Sequence, residues 1–228
     1  MKLAFLEKNP LRKLGEDNKY LLKDSEFGMV LAAAGVGKTA FLIQVALERL
    51  FEGKNVLHVT IDQPIKKVCL WYDEVFKNVC NVANIPNSLQ VWDEILPHRF
   101  ILTFSQGNFT AAHFEERVND LIEQGIFFPQ VILFDGITIE ERFRETLSEL
   151  KMFARENNFQ CWFSARAENG GYVNNMPQSL SNISDMFELI IQLNYQKNDI
   201  QVKLLKGQSI DQIITMLLDP ATLLVKDV

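Results

Sequence analysis

What this chain has little of narrows its chemistry first. Only three cysteines occur in 228 residues, Cys69, Cys80 and Cys161. They are odd in number, show no CxxC spacing and fall in segments that read as helix, helix and buried strand, which excludes a disulfide framework and reads as reduced core thiols. The three histidines, His58, His98 and His113, are scattered over three elements, so no histidine metal cluster is expected. No uninterrupted apolar run reaches membrane-spanning length, and the start, from Met1 and Lys2 to Glu7 and Lys8, becomes charged too soon for a secretory signal. A cytoplasmic protein with no membrane partner is the expectation. Basic residues are in the minority, 23 against 29 acidic ones, for a formal net charge of −6. Nucleic-acid affinity rests on neutralising phosphates, so this balance disfavours a nucleic-acid partner. Internal repeats, low-complexity tracts and long polar linkers are missing too. One domain over residues 26–228 is expected, with residues 1–25, which hold Pro10 and Gly15 among charges, as an N-terminal extension packed on the core or used at a subunit contact.

What is present is a hydrophobic content of 47%, enough for one good-sized core, and one dominant motif. Ala32-Ala33-Ala34-Gly35-Val36-Gly37-Lys38-Thr39 follows the phosphate-binding pattern GxxxxGKS/T with its first glycine replaced by alanine. Gly35 and Gly37 let successive N–H groups turn inward on a phosphate. The helix beginning at Lys38 adds its positive end, Lys38 a cation and Thr39 a hydroxyl ligand for Mg²⁺. The expected nucleotide-binding residues are therefore Ala34, Gly35, Val36, Gly37, Lys38, Thr39 and Ala40, and the expected ligand is a nucleoside triphosphate, ATP, with Mg²⁺. The context agrees: Phe27 to Ala33 reads as a buried strand, and Phe41, Leu42, Val45, Ala46 and Leu50 form a helical stripe that stops at Gly53.

Strand and helix then alternate. Asn55 to Ile61 reads as a strand, a helix follows from Pro64, Arg99 to Phe104 is a third strand and Ala111 to Gln124 a helix. Gln130 to Gly136 is a strand with an acid at its end, followed by a helix from about Ile139 to Glu156 and a strand from Phe159 to Ser164. This order predicts an α/β fold with a mostly parallel central sheet and helices on both faces. Met186 to Leu193, Ile200 to Lys206 and Ile213 to Leu218 are separated only by turns, as in antiparallel strands added at the C-terminal edge.

Ligands of open parallel sheets sit beyond the carboxyl ends of the strands, and Thr39, Asp62, Asp135 and Ser164 to Arg166 all fall at such ends. Asp135, after four apolar residues, is the acid expected to hold Mg²⁺ or its water opposite Thr39. Asp62 has two readings: a base that orients and deprotonates the water attacking the γ-phosphate, or the N-cap of the helix starting at Pro64.

The order AAAGVGKT, VLHVTID, VILFDG, FSARA, VKLLKG and LDPATLLV resembles the RecA-type P-loop ATPase core, as in the KaiC circadian clock ATPases, the archaeal recombinase paralogues and the replicative helicases. The similarity runs from about Glu26 to Val225 and is specific in the phosphate loop and the Asp135 strand. The resemblance implies an ATPase whose strand after the phosphate-loop helix ends in a catalytic glutamate. Here Asp62 and Gln63 stand there, and the shorter acid implies slow hydrolysis or none. Where the helicases carry a phosphate-sensing glutamine, this chain has Ala165, flanked by Ser164 and Arg166. In ring-forming members a late-strand cation enters the neighbouring subunit's site; the candidates are Lys206 and Lys203, which read equally as solvated charges on an exposed strand. With Lys38, Asp62 and Lys206 as the candidate catalytic set, the resemblance implies a homo-oligomeric switch or motor acting on a protein partner.

Three other readings stand beside that one. A regulatory module that binds nucleotide with weak or no hydrolysis is motivated by Ala32, Asp62, Gln63 and Ala165. A small-metabolite P-loop kinase wants an arginine-bearing lid, whereas Ala167 to Ile183 contains no Lys or Arg. A DNA-dependent helicase or recombinase wants basic, aromatic channel loops, which neither that segment nor Ile137 to Arg144, with Glu140 and Glu141 beside Arg142 and Arg144, supplies. The NKxD motif of guanine-selective sites is also missing.

Overall fold

The structure is a computed structural model that describes residues 9–15, 21–139, 143–167, 171–173, 176–196, 199–207 and 216–227. Apolar runs without alternation become strands covered on both faces. Every residue of β1 (Phe27–Ala32) and β2 (Val56–Ile61) is buried, and β4 (Val131–Ile137) and β5 (Gln160–Arg166) are nearly so. β3 (Arg99–Phe104) is only half-buried because it forms one edge. The remaining strands are β6 (Tyr172–Val173) and β7 (Met176–Pro177), a separate two-stranded hairpin, and β8 (Leu189–Gln196), β9 (Asp199–Lys206), β10 (Met216–Leu218) and β11 (Val225–Asp227). The main sheet has the order β11-β10-β9-β8-β1-β5-β4-β2-β3.

The fold is thus α/β, with a mostly parallel sheet flanked by helices and antiparallel strands at one edge. The expectation for the late strands needs one correction. β8 does not open the antiparallel addition: it pairs parallel to β1, Gly28 opposite Leu189, and the antiparallel pairs begin between β8 and β9. The physical reason is the connection. Ala167 to Glu188 exceeds the dozen or so residues that a parallel crossover needs, so the chain returns to the end of the sheet where β1 starts. The short β11, which pairs with β10, was not expected from the sequence. Residues 213–215, expected in a late strand, and 140–142, expected in a helix, lie outside the described residues.

Among the described residues five α-helices cover the sheet. α1 (Lys38–Phe51), α2 (Ile65–Ala83) and α3 (Ser88–Ile95) pack on one face; α4 (Ala111–Glu123) and α5 (Phe143–Asn157) pack on the other. Among the described residues no helix is long and apolar enough to cross a membrane. The second face is aromatic: Phe134 stacks on Phe163 at 4.7 Å between ring centroids and meets Phe114 edge-on at 4.9 Å.

α1 is buried continuously from Ala40 to Phe51 because it is sandwiched. The sheet lies beneath it, and two other segments close over it. Gln44 grips the chain's C-terminal segment, donating to Leu223 O at 2.7 Å and accepting from Val225 N–H at 2.8 Å. On the N-terminal side, Leu11 and Leu14 are buried, and Arg12 reaches Glu48 at 2.6 Å and Glu52 at 2.5 Å. The described part of the N-terminal extension therefore packs on the core. Arg12 also compensates a costly group, since burial pushes the Glu48 carboxyl upward and the guanidiniums of Arg49 and Arg12 oppose that rise.

Gly28 in β1 leaves no room for a side chain: a Cβ there would lie 2.8 Å from both Leu22 and the Trp162 ring. Gly28→Ala should destabilise the fold by about 1–3 kcal/mol through overpacking, lowering Tm by roughly 2–4 °C per kcal/mol. Thermal denaturation checks this, and an unchanged Tm would mean that Trp162 does not pack there.

Candidate functional site

The phosphate loop leaves β1 at Ala32 and turns through Gly35 (φ +76°) and Gly37 (φ +101°) into α1. Both glycines sit where a side chain would be strained. Ala32, by contrast, is the last residue of an extended strand and has no positive φ, so the alanine in place of the motif's first glycine costs no backbone strain. Among the described residues the N–H groups of Gly35, Val36, Gly37, Lys38 and Thr39 donate to no acceptor of the chain. Five such donors leading into the start of a long helix are the kind of backbone concavity that suits an anion. Ala34 and Gly35 are exposed, Gly37, Lys38 and Thr39 half-buried, and Val36 and Ala40 buried as anchors. Leu218 of β10 also supports the loop: a Cβ on Gly37 would lie 2.7 Å from its Cδ2.

Lys38 lies across this concavity, its Nζ donating to Ala32 O at 3.0 Å and Ala33 O at 2.9 Å. Burial pulls its pKa below the ordinary value; the Asp135 carboxylate opposes that fall and the Arg166 guanidinium adds to it. Cationic Lys38 and Arg166 therefore stand close beside the loop.

Asp135 ends up beneath the first turn of α1 because successive residues of a strand alternate between faces. Val131 and Leu133 point to the α1 side, so Asp135 does as well. It is 2% exposed. Thr39 Oγ1 donates to its Oδ2 at 2.7 Å, and Ser164 Oγ donates to its Oδ1 at 2.5 Å while accepting from Gly136 N–H at 2.9 Å. His58 Nε2 lies 3.9 Å from Oδ2. Burial alone would raise the Asp135 pKa; His58, Ser164 and Thr39 outweigh it and hold the carboxyl below its ordinary range.

Thr39 and Asp135 fit a small divalent cation. Their oxygens are 2.7 Å apart, near the roughly 2.9 Å edge of an octahedron with bonds of 2.0–2.1 Å. Among the described residues no three His, Cys, Asp or Glu side chains cluster as a metal cage. An ion that suits so few ligands takes one or two protein oxygens and finds the rest on phosphate and water.

For Asp62 the structure removes the capping expectation. This residue is not the N-cap of α2: Pro64 occupies that position with extended backbone, one place before the first helical turn, and caps nothing with its side chain. Asp62 instead takes a left-handed backbone (φ +54°), which Asp tolerates better than most residues, and its Oδ1 accepts from Gln106 N–H at 3.0 Å. The capping alternative fails because two residues, not zero, separate the carboxylate from the helix start. Asp62 lies two residues beyond Thr60, which pairs with Asp135 across the sheet. Beside its anchor a cavity of about 120 Å³ opens between Ile61, Gln106, Ile137 and Thr138.

Lys206 lies away from this centre. It pairs with Ile190, which pairs with Met29, three residues before Ala32 and so on the order of 10 Å down the strand. Its Nζ donates to Ser184 O at 2.9 Å. Lys203 is exposed opposite Gln192. Of the cations considered for a nucleic-acid channel, Arg144 forms two 2.7 Å bonds to Asp185, and Arg142 lies outside the described residues.

No protein-family model matches this chain, and no curated protein shows significant similarity to it. The site is therefore read from its own geometry. That geometry brings together Lys38, Thr39 and Asp135, sets Asp62 at the margin and leaves Lys206 outside. It also adds residues the sequence reading did not assign: His58, Tyr72 behind it, and Gln44. A histidine two residues before Thr60 in an apolar strand was visible as an oddity, but its partner depends on the register between β2 and β4.

Ser164→Ala removes a buried hydroxyl that serves both Asp135 and Gly136 N–H, and should cost about 1–3 kcal/mol near pH 7. Because the folded Asp135 pKa is depressed, its stabilisation is present above the ordinary value of 3.8 and fades as pH falls through the lower folded value. The deficit of the variant, measured by urea denaturation, should therefore shrink at about pH 3 relative to about pH 7; an equal deficit at both would contradict the coupling.

Proposed function

We propose that this protein binds ATP with Mg²⁺ at the loop Ala34 to Ala40 and is a RecA-like, Mg-dependent ATPase working in the cytoplasm as a homo-oligomeric switch or motor on a protein partner. The observation that carries the reading is the set of N–H groups from Gly35 to Thr39 that meet no acceptor of the chain, flanked by Lys38 and by Thr39 and Asp135 at hydrogen-bond distance. A nest of donors, a cation and a hydroxyl–carboxylate pair suit a polyphosphate carrying a divalent ion. In this reading the N–H groups and Lys38 hold the β- and γ-phosphates, and Thr39 and Asp135 hold the ion, which when bound neutralises charge on the phosphates. Asp62 receives a proton from the attacking water.

A specific observation favours a second reading, a nucleotide-binding regulatory module with weak or no hydrolysis. The Asp62 Oδ1 accepts from Gln106 N–H, a bond that competes with turning the carboxylate toward an attacking water. The homo-oligomer is motivated by Lys206: it lies away from its own phosphate loop, and in this reading it enters a neighbouring subunit's site, where a cation stabilises charge on the transferring phosphoryl group. A DNA-dependent motor is supported less, since Arg144 is committed to Asp185.

Lys38→Ala should weaken Mg-ATP binding tenfold to hundredfold, about 1.5–3 kcal/mol; calorimetry showing unchanged affinity would sink the phosphate-loop reading. Asp135→Asn should blunt the Mg²⁺ dependence of binding, while Asp62→Asn should spare binding and abolish turnover. Phosphate release by the wild type no faster than by Lys38→Ala in single-turnover measurements would select the regulatory module.

A further inference from the structure

Behind Asp135, on the α1 side of the sheet, two buried rings take no part in holding phosphate. His58 of β2 and Tyr72 of α2 are both 0% exposed. Tyr72 OH lies 3.1 Å from His58 Nδ1, and the other ring nitrogen, Nε2, faces Asp135 Oδ2 at 3.9 Å. The Arg99 guanidinium of β3 sits over the Tyr72 ring, 4.5 Å from its centroid. The row therefore runs from the edge strand to the acid beneath the phosphate loop.

Two tautomers of His58 are conceivable, and the neighbours decide between them. A proton on Nδ1 would leave the Nε2 lone pair facing a carboxylate, which is repulsive. With the proton on Nε2, an N–H faces the carboxylate and Nδ1 is free to accept from Tyr72 OH. Arg99 strengthens this choice, because a cation over a phenol ring draws electron density from the hydroxyl and makes it a better donor. Burial pushes the Tyr72 pKa upward, so its hydroxyl keeps the proton it donates.

We propose that His58, held by Tyr72 in the tautomer with its proton on Nε2, is a positioning residue for Asp135, keeping Oδ2 turned toward Thr39 and a divalent cation at the phosphate loop. At 3.9 Å the interaction is electrostatic rather than a hydrogen bond. Ser164 fixes Oδ1, so the two sides of the carboxylate are held by different strands, β5 and β2. The proposal rests on reading Asp135 as the acid that meets the cation. Outer-shell partners of this kind commonly change metal affinity tenfold or more when removed.

Two measurements on the full chain test it. In ¹⁵N-histidine NMR without nucleotide, His58 should show a protonated Nε2 and an unprotonated Nδ1, and Tyr72→Phe should release that preference. A wild-type His58 carrying a proton on Nδ1, alone or together with one on Nε2, overturns the proposal. In the second, binding of a fluorescent ATP analogue is titrated with Mg²⁺. His58→Ala and Tyr72→Phe should raise the Mg²⁺ needed for half-maximal binding about tenfold and leave affinity in EDTA unchanged, and His58→Gln, whose amide nitrogen falls near the Nε2 position, should recover most of the loss. Unchanged Mg²⁺ dependence, or equal losses with and without Mg²⁺, overturns the positioning role. Should His58→Ala fail to fold, Tyr72→Phe, which loses a single oxygen, carries the same comparison. A wild type that binds no nucleotide refutes the proposed function instead, and the tautomer then decides alone whether His58 serves Asp135.

Discussion

The arrangement of this protein depends on burying one carboxylate. Asp135 sits beneath a helix start with almost no solvent access, and a charge there is tolerated only if donors surround it. Its two donors come from separate places, Thr39 on α1 and Ser164 on β5, and His58 Nε2 on β2 stands 3.9 Å away. The sheet order makes this convergence achievable. β5 lies between β1 and β4, so the helix leaving β1 must pass over β5 to reach Asp135, and Ser164 is the β5 residue at that crossing. Removing any one donor leaves a charge short of partners inside the protein, and this couples the loop's geometry to the stability of the fold.

The two faces of the sheet divide the work. Toward α4 and α5 the strands present Phe27, Phe134 and Phe163, packed ring against ring, a dry and rigid backing. Toward α1 the same strands present His58, Thr60, Asp135, Ser164 and Arg166 near their carboxyl ends, and apolar residues lower down. Alternation along each strand puts acid and aromatic one residue apart on opposite faces. The polar row is held in place by a core that it does not itself disturb.

α1 is clamped at both flanks, by Gln44 gripping Leu223 and Val225 and by Arg12 gripping Glu48 and Glu52. The described segments 9–15 and 216–227 thus converge on the helix that carries Lys38 and Thr39. Leu218 packed against Gly37 extends the same clamp to the phosphate loop. A site whose donors are backbone N–H groups needs its backbone fixed, and packing from distant segments is what fixes it.

Much of this was legible in the linear chain. The phosphate loop is a local motif whose glycines and lysine act within a few residues of one another, and the buried strands and their helices follow from apolar periodicity, so Lys38, Thr39 and the fold class needed no tertiary information. Asp135 was legible as an acid at the end of an apolar strand. The parallel placement of β8 was not, because strand direction depends on the path of a connection rather than on the strand's own residues. Nor was the fate of Asp62, whose capping reading fell only when the helix started at Ile65 with Pro64 as its N-cap, and whose contact with Gln106 N–H depends on the turn after β3. The sequence by itself determined the strand, the glycine turn and the helix start that carry Lys38 and Thr39, since these follow from backbone turns and short-range spacing. Only the tertiary structure decided what surrounds Asp135, since His58, Tyr72 and Ser164 come to it across strand registers and helix packing that bring together residues far apart in the chain.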